Sequence, residues 1–177
     1  LDLDVYESPT AWPRAFFTDT VTTYQAPADF VRLTLNGDHR PFAAVQEKDL
    51  RLLPDSFRLL RRPMADRLSQ PAYDYHLTNN TTSFTVSAAV PGVIVLSESY
   101  YPGDFEVKLN DEPTTYFRVN HAFKGIYVDH PGTYHVTFRY WPERLTLGLW
   151  LGAGGFVAGI LALVADWSLR RRHLQAI

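Results

Sequence analysis

The chain has 177 residues, a formal net charge of −2 and no cysteine. That length is enough for one domain with a real core and something extra. The missing cysteines exclude a disulfide framework and any cysteine zinc site, and the near-neutral balance gives no support to binding nucleic acid or another polyanion. The chain starts at Leu1 and its single methionine is Met64. The expectation is therefore a processed chain or part of a longer product, and no signal peptide of charged start, apolar run and small-residue cleavage site is visible.

In chain order, "LDLDVY" alternates like a strand, and "ESPTAWPRAFF" is broken by Pro9 and Pro13. "APADFVRLTLNG" predicts a short helix: Pro27 suits its first turn, Phe30, Leu33 and Leu35 point inward, and Gly37 follows as a cap. "FAAVQ" reads as a short strand. "KDLRLLPDSFRLLRRPMADR" mixes leucines with Lys48, Arg51, Arg58, Arg61, Arg62 and Arg67. It reads as a solvated loop whose leucines plug the edge of the core, because Asp49, Asp55 and Asp66 interrupt the basic residues. The other reading is a basic surface on anionic lipid headgroups.

From Tyr73 the period becomes two. "SFTVSAAV" sends Phe84, Val86, Ala88 and Val90 to one face. "GVIVLSES" is apolar on both faces and is expected to be central and covered twice. "DFEVKLN" turns Phe105, Val107 and Leu109 inward. "TTYFRVN" and "GIYVD" follow, and "TYHVTFRYW" aligns Tyr134, Val136, Phe138 and Tyr140. Turn-like connectors stand at 91–92, 102–104, 110–113 and 130–132, and Asn79 and Asn80 read as a hairpin turn. The fold class expected is mainly β: an antiparallel sandwich or jelly-roll-like domain with one short helix.

Leu145–Ala165 holds 21 residues without a charge. As a helix it would be about 31 Å long, one hydrocarbon thickness. Tyr140 and Trp141 stand at one end and Trp167 at the other, as interface anchors would, and Arg170, Arg171 and Arg172 follow. The expected organisation is residues 1–142 as an extracytoplasmic β domain, 143–169 as a transmembrane helix and 170–177 as a short basic cytoplasmic tail. Of the charged residues, 14 of 17 Lys and Arg and 18 of 19 Asp and Glu lie in 1–144. Gly148 and Gly152 are four apart, as are Gly155 and Gly159, and Gly154, Ala158 and Ala162 form a third row. Small rows let helix backbones approach closely in lipid, so Gly148, Gly152, Gly155, Gly159, Ala158 and Ala162 are the expected packing face for other membrane helices.

Catalytic signals are sparse. Asp2, Asp4 and Glu7 cluster near the start, with strand-edge solvation the simpler account. No G-x-S-x-G, H-E-x-x-H or phosphate-cradling glycine loop occurs. His121, His130 and His135 would need a fortunate fold to share a metal. No catalytic, cofactor or metal residue is assigned. The aromatic residues Tyr100, Tyr101, Phe105, Tyr116 and Tyr127 are either strand and core filler or a glycan face. Tyr100, Tyr101 and Tyr116 are the expected glycan or partner surface.

The run "VLSESYYPGDFEVKLNDEPTTYFRVNHAFKGIYVDHPGTYHVTFRYWP" resembles the C-terminal extracytoplasmic domain of the YfhO-like bacterial membrane proteins. Those carry an L-S-E-x-Y-Y-P-G run, an R-V/A-N-x-A-F-x-G-V-x-V strand pair, a P-x-G-x-H turn and V-x-F-x-Y-x-P before a last membrane helix. "VYESPTAWPRAFF" is similar to the family's V-Y-E-N-x-x-A-x-P-R-A-F segment. The resemblance implies a β-rich domain after a bundle of membrane helices, in a GT-C-type glycosyltransferase using a lipid-linked sugar donor outside the cytoplasm. This chain departs from it in having one span, no upstream acidic loop, and Gly103, Asp104 and Phe105 where the family places Gly-Trp.

Three functions stay open at this point. The first is a non-catalytic, single-span subunit of the bacterial inner membrane, its β domain outside and its helix docked into a larger complex such as a respiratory or photosynthetic one. The second is the C-terminal part of a YfhO-like transferase. The third is a membrane-tethered glycan-binding module. The partners expected are the membrane helices of other subunits, the lipid bilayer and a glycan, with no cofactor.

Overall fold

The computed structural model describes residues 11–174; for 166 and 168–174 only the helical course is described. The alternating "LDLDVY", the acidic residues Asp2, Asp4 and Glu7, and the side chains of Arg170, Arg171 and Arg172 lie outside the described residues. The chain divides after Tyr140 into two compact units.

The first unit is built from β1 (Ala15–Thr18), β2 (Val21–Tyr24), α1 (Pro27–Leu35), β3 (Ala43–Gln46), β4 (Ser69–Pro71), β5 (Tyr73–Leu77), β6 (Thr81–Ala88), β7 (Gly92–Ser99), β8 (Phe105–Leu109), β9 (Glu112–Pro113), β10 (Phe117–Val119), β11 (Phe123–Val128) and β12 (Gly132–Tyr140). Three 3-10 turns fill the stretch between β3 and β4. Two five-stranded antiparallel sheets result, in the orders β10-β11-β7-β1-β4 and β5-β6-β12-β8-β9. Strands β2 and β3 form a separate parallel pair. The mainly β fold with one short helix is as the strand periodicity demands.

The inner faces of the two sheets meet in one core. Phe17, Ile94, Leu96, Ile126 and Val128 from the first sheet pack with Phe84, Val86, Val107, Val136 and Phe138 from the second. A second core lies on the other face of the first sheet. There Phe16, Val93, Val95 and Val119 pack with Val21, Val45, Phe57 and Leu60. Strand β7 explains both. Its even residues Ile94 and Leu96 enter one core and its odd residues Val93 and Val95 the other, so it has no solvent face, as its continuous apolar sequence required. A third, small cluster of Tyr24, Phe42 and Ala44 lies beneath Phe30 and Leu33 of α1.

Two turns fix the local register. Asn110 and Asp111 both adopt positive φ between β8 and β9, the geometry a two-residue hairpin needs to match the strand twist. Asn79 and Asn80 stand in the β5–β6 hairpin, closed by Thr78 N–H donating to the Thr81 carbonyl over 2.9 Å.

Two sequence expectations are corrected. Leu35 is 73% exposed rather than inward, because α1 ends there and only one side of its last turn meets the core. Arg67, expected in a solvated loop, is neither solvated nor part of a basic surface. It is 3% exposed, and its guanidinium donates to the carbonyls of Pro41, Met64 and Arg40 and to the Asp38 carboxylate. It thereby ties 38–41 to the turn at 64–66. Phe57 and Leu60 do plug the core, whereas Leu52 and Leu59 face solvent.

The second unit is the helix α2 (Leu145–Leu174). Its stretch Leu145–Ala165, with mean hydropathy 2.1, is long and apolar enough to cross a membrane, and none of it is buried. The helix begins two residues after the expected 143 and runs on through the stretch expected as a tail, to Leu174.

Candidate functional site

The corner 97–105 is held from three sides. Tyr100 N–H donates to the Ala122 carbonyl over 2.7 Å, Gly103 takes a positive φ of 78°, and the Tyr116 hydroxyl donates to the Tyr101 carbonyl. Behind it stands an aromatic cluster. Tyr116 packs edge-on against Tyr100 (5.5 Å), Phe105 (6.1 Å) and Phe138 (6.1 Å), and Phe105 meets Tyr140 at 5.4 Å.

Inside this cluster lies a charged group that no turn or motif announced. Lys124 is 1% exposed; its ammonium donates to Glu98 Oε2 over 3.0 Å and sits 3.5 Å from the Phe105 ring centre. Glu98 also accepts from Arg14 (2.8 Å) and Thr82 (3.0 Å). Burial pushes the Glu98 carboxyl up, but the hydrogen bonds from Arg14, Lys124 and Thr82 outweigh it and hold the group below its ordinary value. Burial likewise pulls the Lys124 ammonium below its ordinary range, against the pull of Glu98. Strand alternation carries the signal for both. Glu98 continues the inward row Ile94, Leu96, and Lys124 begins the inward row Ile126, Val128. A β-bulge between Phe123 and Lys124 sits where the pair forms.

Beside the corner opens a cleft of about 690 Å³, lined by Tyr100, Tyr116, Tyr127 and Tyr134 together with Asp49 and Arg118. These come from separate segments: the corner, the β9–β10 connection, β11, β12, the first 3-10 turn and β10. Arg118 donates to Asp49 Oδ2 through Nε (3.2 Å) and Nη2 (2.8 Å), and Nη2 also reaches Gln46 Oε1 at 3.3 Å. The Asp49 hydrogen bond raises the Arg118 pKa above its ordinary value. Tyr127 donates to Ser56 Oγ over 3.0 Å. Of the expected aromatic face, Tyr100, Tyr116 and Tyr127 meet in this cleft. Tyr101 stands outside it, 53% exposed, and Phe105 is turned into the cluster over Lys124.

The three histidines do not converge. His121 stacks on Phe30 at 6.1 Å, His130 Nδ1 lies 2.6 Å from Asp129, and His135 is exposed on β12. Among the described residues no group of three or more His, Cys, Asp or Glu is placed to hold a metal.

On α2, a Cβ added at Gly148, Gly152, Gly155 or Gly159 would meet nothing within 4 Å. With Ala162 these residues recur at spacings of four, three, four and three, so all fall on one helix face. Gly154 and Ala158 lie on the flank of that stripe. A notch is lined by Gly155, Gly159 and Ala162 beside the larger Phe156, Ile160 and Leu163. Trp141 Nε1 donates to Thr146 Oγ1 over 3.0 Å at the helix start, and Trp167 is 55% exposed near its end. Tyr140 closes β12 with its ring against Phe105.

Comparison of the chain with protein-family models, curated proteins and solved structures gives no match.

Proposed function

We propose that this protein is a non-catalytic, single-span membrane subunit whose helix docks against the membrane helices of a larger complex. The observation that carries the reading is the single stripe of Gly148, Gly152, Gly155, Gly159 and Ala162 in the uncharged stretch Leu145–Ala165 of the helix. Glycine weakens a helix by about 1 kcal/mol per residue relative to alanine, so a solitary anchor gains nothing from it. In lipid, where close packing drives helix association, a notched face gains contact area against a partner ridge. The β unit then lies outside the cytoplasm of a bacterial inner membrane, because Arg170, Arg171 and Arg172 follow the apolar stretch and basic flanks stay inside. Its strand-rich architecture, followed in sequence by one apolar helix, fits the YfhO-like resemblance at the level of fold.

The test is co-purification in mild detergent. Gly152→Leu with Gly155→Leu puts bulk on the stripe and alters no residue of the β unit, and is expected to release the protein from its membrane partners. An unchanged set of co-purifying membrane proteins would sink the reading. If the full reading frame places a multi-span segment before Leu1, the chain is instead the C-terminal part of a YfhO-like transferase.

A further inference from the structure

We propose that the cleft lined by Tyr100, Tyr116, Tyr127 and Tyr134 binds an uncharged oligosaccharide. The inference stands on the β unit alone and is independent of helix docking.

The volume, about 690 Å³, lies within the roughly 300–1,000 Å³ range of small-ligand sites. Four tyrosines from four chain segments line the cleft, and each combines an apolar ring, which suits the C–H faces of sugar rings, with a polar tip. The rings are braced rather than free to collapse into the opening. Tyr116 is tied to the Tyr101 carbonyl, Tyr127 to Ser56, and Tyr134 to the His130 carbonyl at 2.7 Å. A preset wall spares the ligand the cost of ordering it.

The polar part of the wall selects the charge class. Arg118 is already neutralised by Asp49, and Asp129 adds a negative group at the rim, so an acidic ligand finds no open cation. Both Arg118 bonds land on Oδ2; among the described residues Oδ1 of Asp49 accepts no hydrogen bond and can take a sugar hydroxyl. A planar carboxylate fixed by a guanidinium beside aromatic faces is a fitting for polyhydroxylated neutral rings.

The test is calorimetric titration of the full chain, in a detergent without a sugar headgroup. The probes are hexasaccharides of glucose, mannose, galactose and N-acetylglucosamine, with hexagalacturonate as the acidic probe. At least one neutral probe is expected to bind with Kd of about 100 μM, and Tyr100→Ala and Tyr127→Ala each to weaken it about tenfold. Hydrogen exchange on the unmodified protein is expected to slow at 49–53 and 114–118 when that probe is added. No binding by any neutral probe, binding of the acidic probe alone, or protection confined to other segments would each overturn the proposal.

Discussion

The ammonium of Lys124 lies 3.5 Å from the centre of the Phe105 ring and 3.0 Å from Glu98 Oε2, at the end of the core between the two sheets. The pair is asymmetric. Among the described residues, Glu98 keeps Arg14 and Thr82 if Lys124 is lost, whereas the Lys124 ammonium keeps only aromatic faces if Glu98 is lost. Removing one partner of a buried pair leaves an uncompensated charge. Glu98→Ala is therefore expected to cost about 3 kcal/mol, and Lys124→Met distinctly less. Urea unfolding of both variants, followed by near-ultraviolet circular dichroism, checks the order. Equal costs would contradict it.

The same site gives an acid limb to stability. The folded Glu98 carboxyl lies below the ordinary value of 4.5, so its contribution is fully present above that pH and is lost as pH falls through the folded value. Asp38, held down chiefly by its hydrogen bond from Arg67, acts in the same sense below its ordinary 3.8. The melting temperature is expected to fall steeply below about pH 4.5. In Glu98→Gln that limb should be shallower, and an unchanged slope would remove Glu98 as its source.

Asn120 is a clamp between the β2–β3 pair and the first sheet. Its Oδ1 accepts from Ala44 N–H and its Nδ2 donates to the Phe42 carbonyl, each over 2.7 Å, while its own N–H donates to the Ala44 carbonyl over 2.8 Å. It does this at φ 49°, a region where asparagine is tolerated better than most residues. Asn120→Ala is expected to cost about 3 kcal/mol, since two buried backbone groups lose their partners. Asn120→Asp should fail as well, because the Phe42 carbonyl then faces a carboxylate. Hydrogen exchange at 42–46 reads the effect; protection equal to the parent's would refute the clamp.

Gly92 opens β7 against the end of β1. A Cβ there would come within 2.4 Å of both the Phe17 ring and the Thr18 carbonyl oxygen. The ring can shift, but the backbone carbonyl belongs to the ladder. Gly92→Ala is expected to destabilise by about 2 kcal/mol. Gly155→Ala, by contrast, has open space around it and should leave the melting of the β unit unchanged. A thermal melt of the two variants side by side separates these cases.

Much of the sheet architecture was legible because alternation is local. Phe84, Val86 and Ala88, or Val93 to Leu96, announce their burial within a few residues. The stretch between β3 and β4 was not, because its order comes from a distant partner. Arg67 is buried only because the carbonyls of Pro41, Arg40 and Met64 converge on it, and sequence spacing does not encode that convergence. The corner tyrosines stand out in the sequence, but their grouping is only half legible there. Tyr100 and Tyr101 are adjacent in sequence and part company at the turn, while Tyr127 and Tyr134 join Tyr100 from other strands. Glu98 and Lys124 sat in readable inward rows, yet each row ends in a charge, and a charge at a strand end ordinarily signals solvent.

The first sheet, in which β7 and β1 send alternate residues to both sides, gives the two cores a common wall one strand thick. Neither core can open without stripping one face of that sheet, and the exposed face would then loosen the other side. The sandwich and the layer of β2, β3 and the 3-10 turns are thus coupled in series through that one sheet, and the β unit should melt as one cooperative transition, not in two steps.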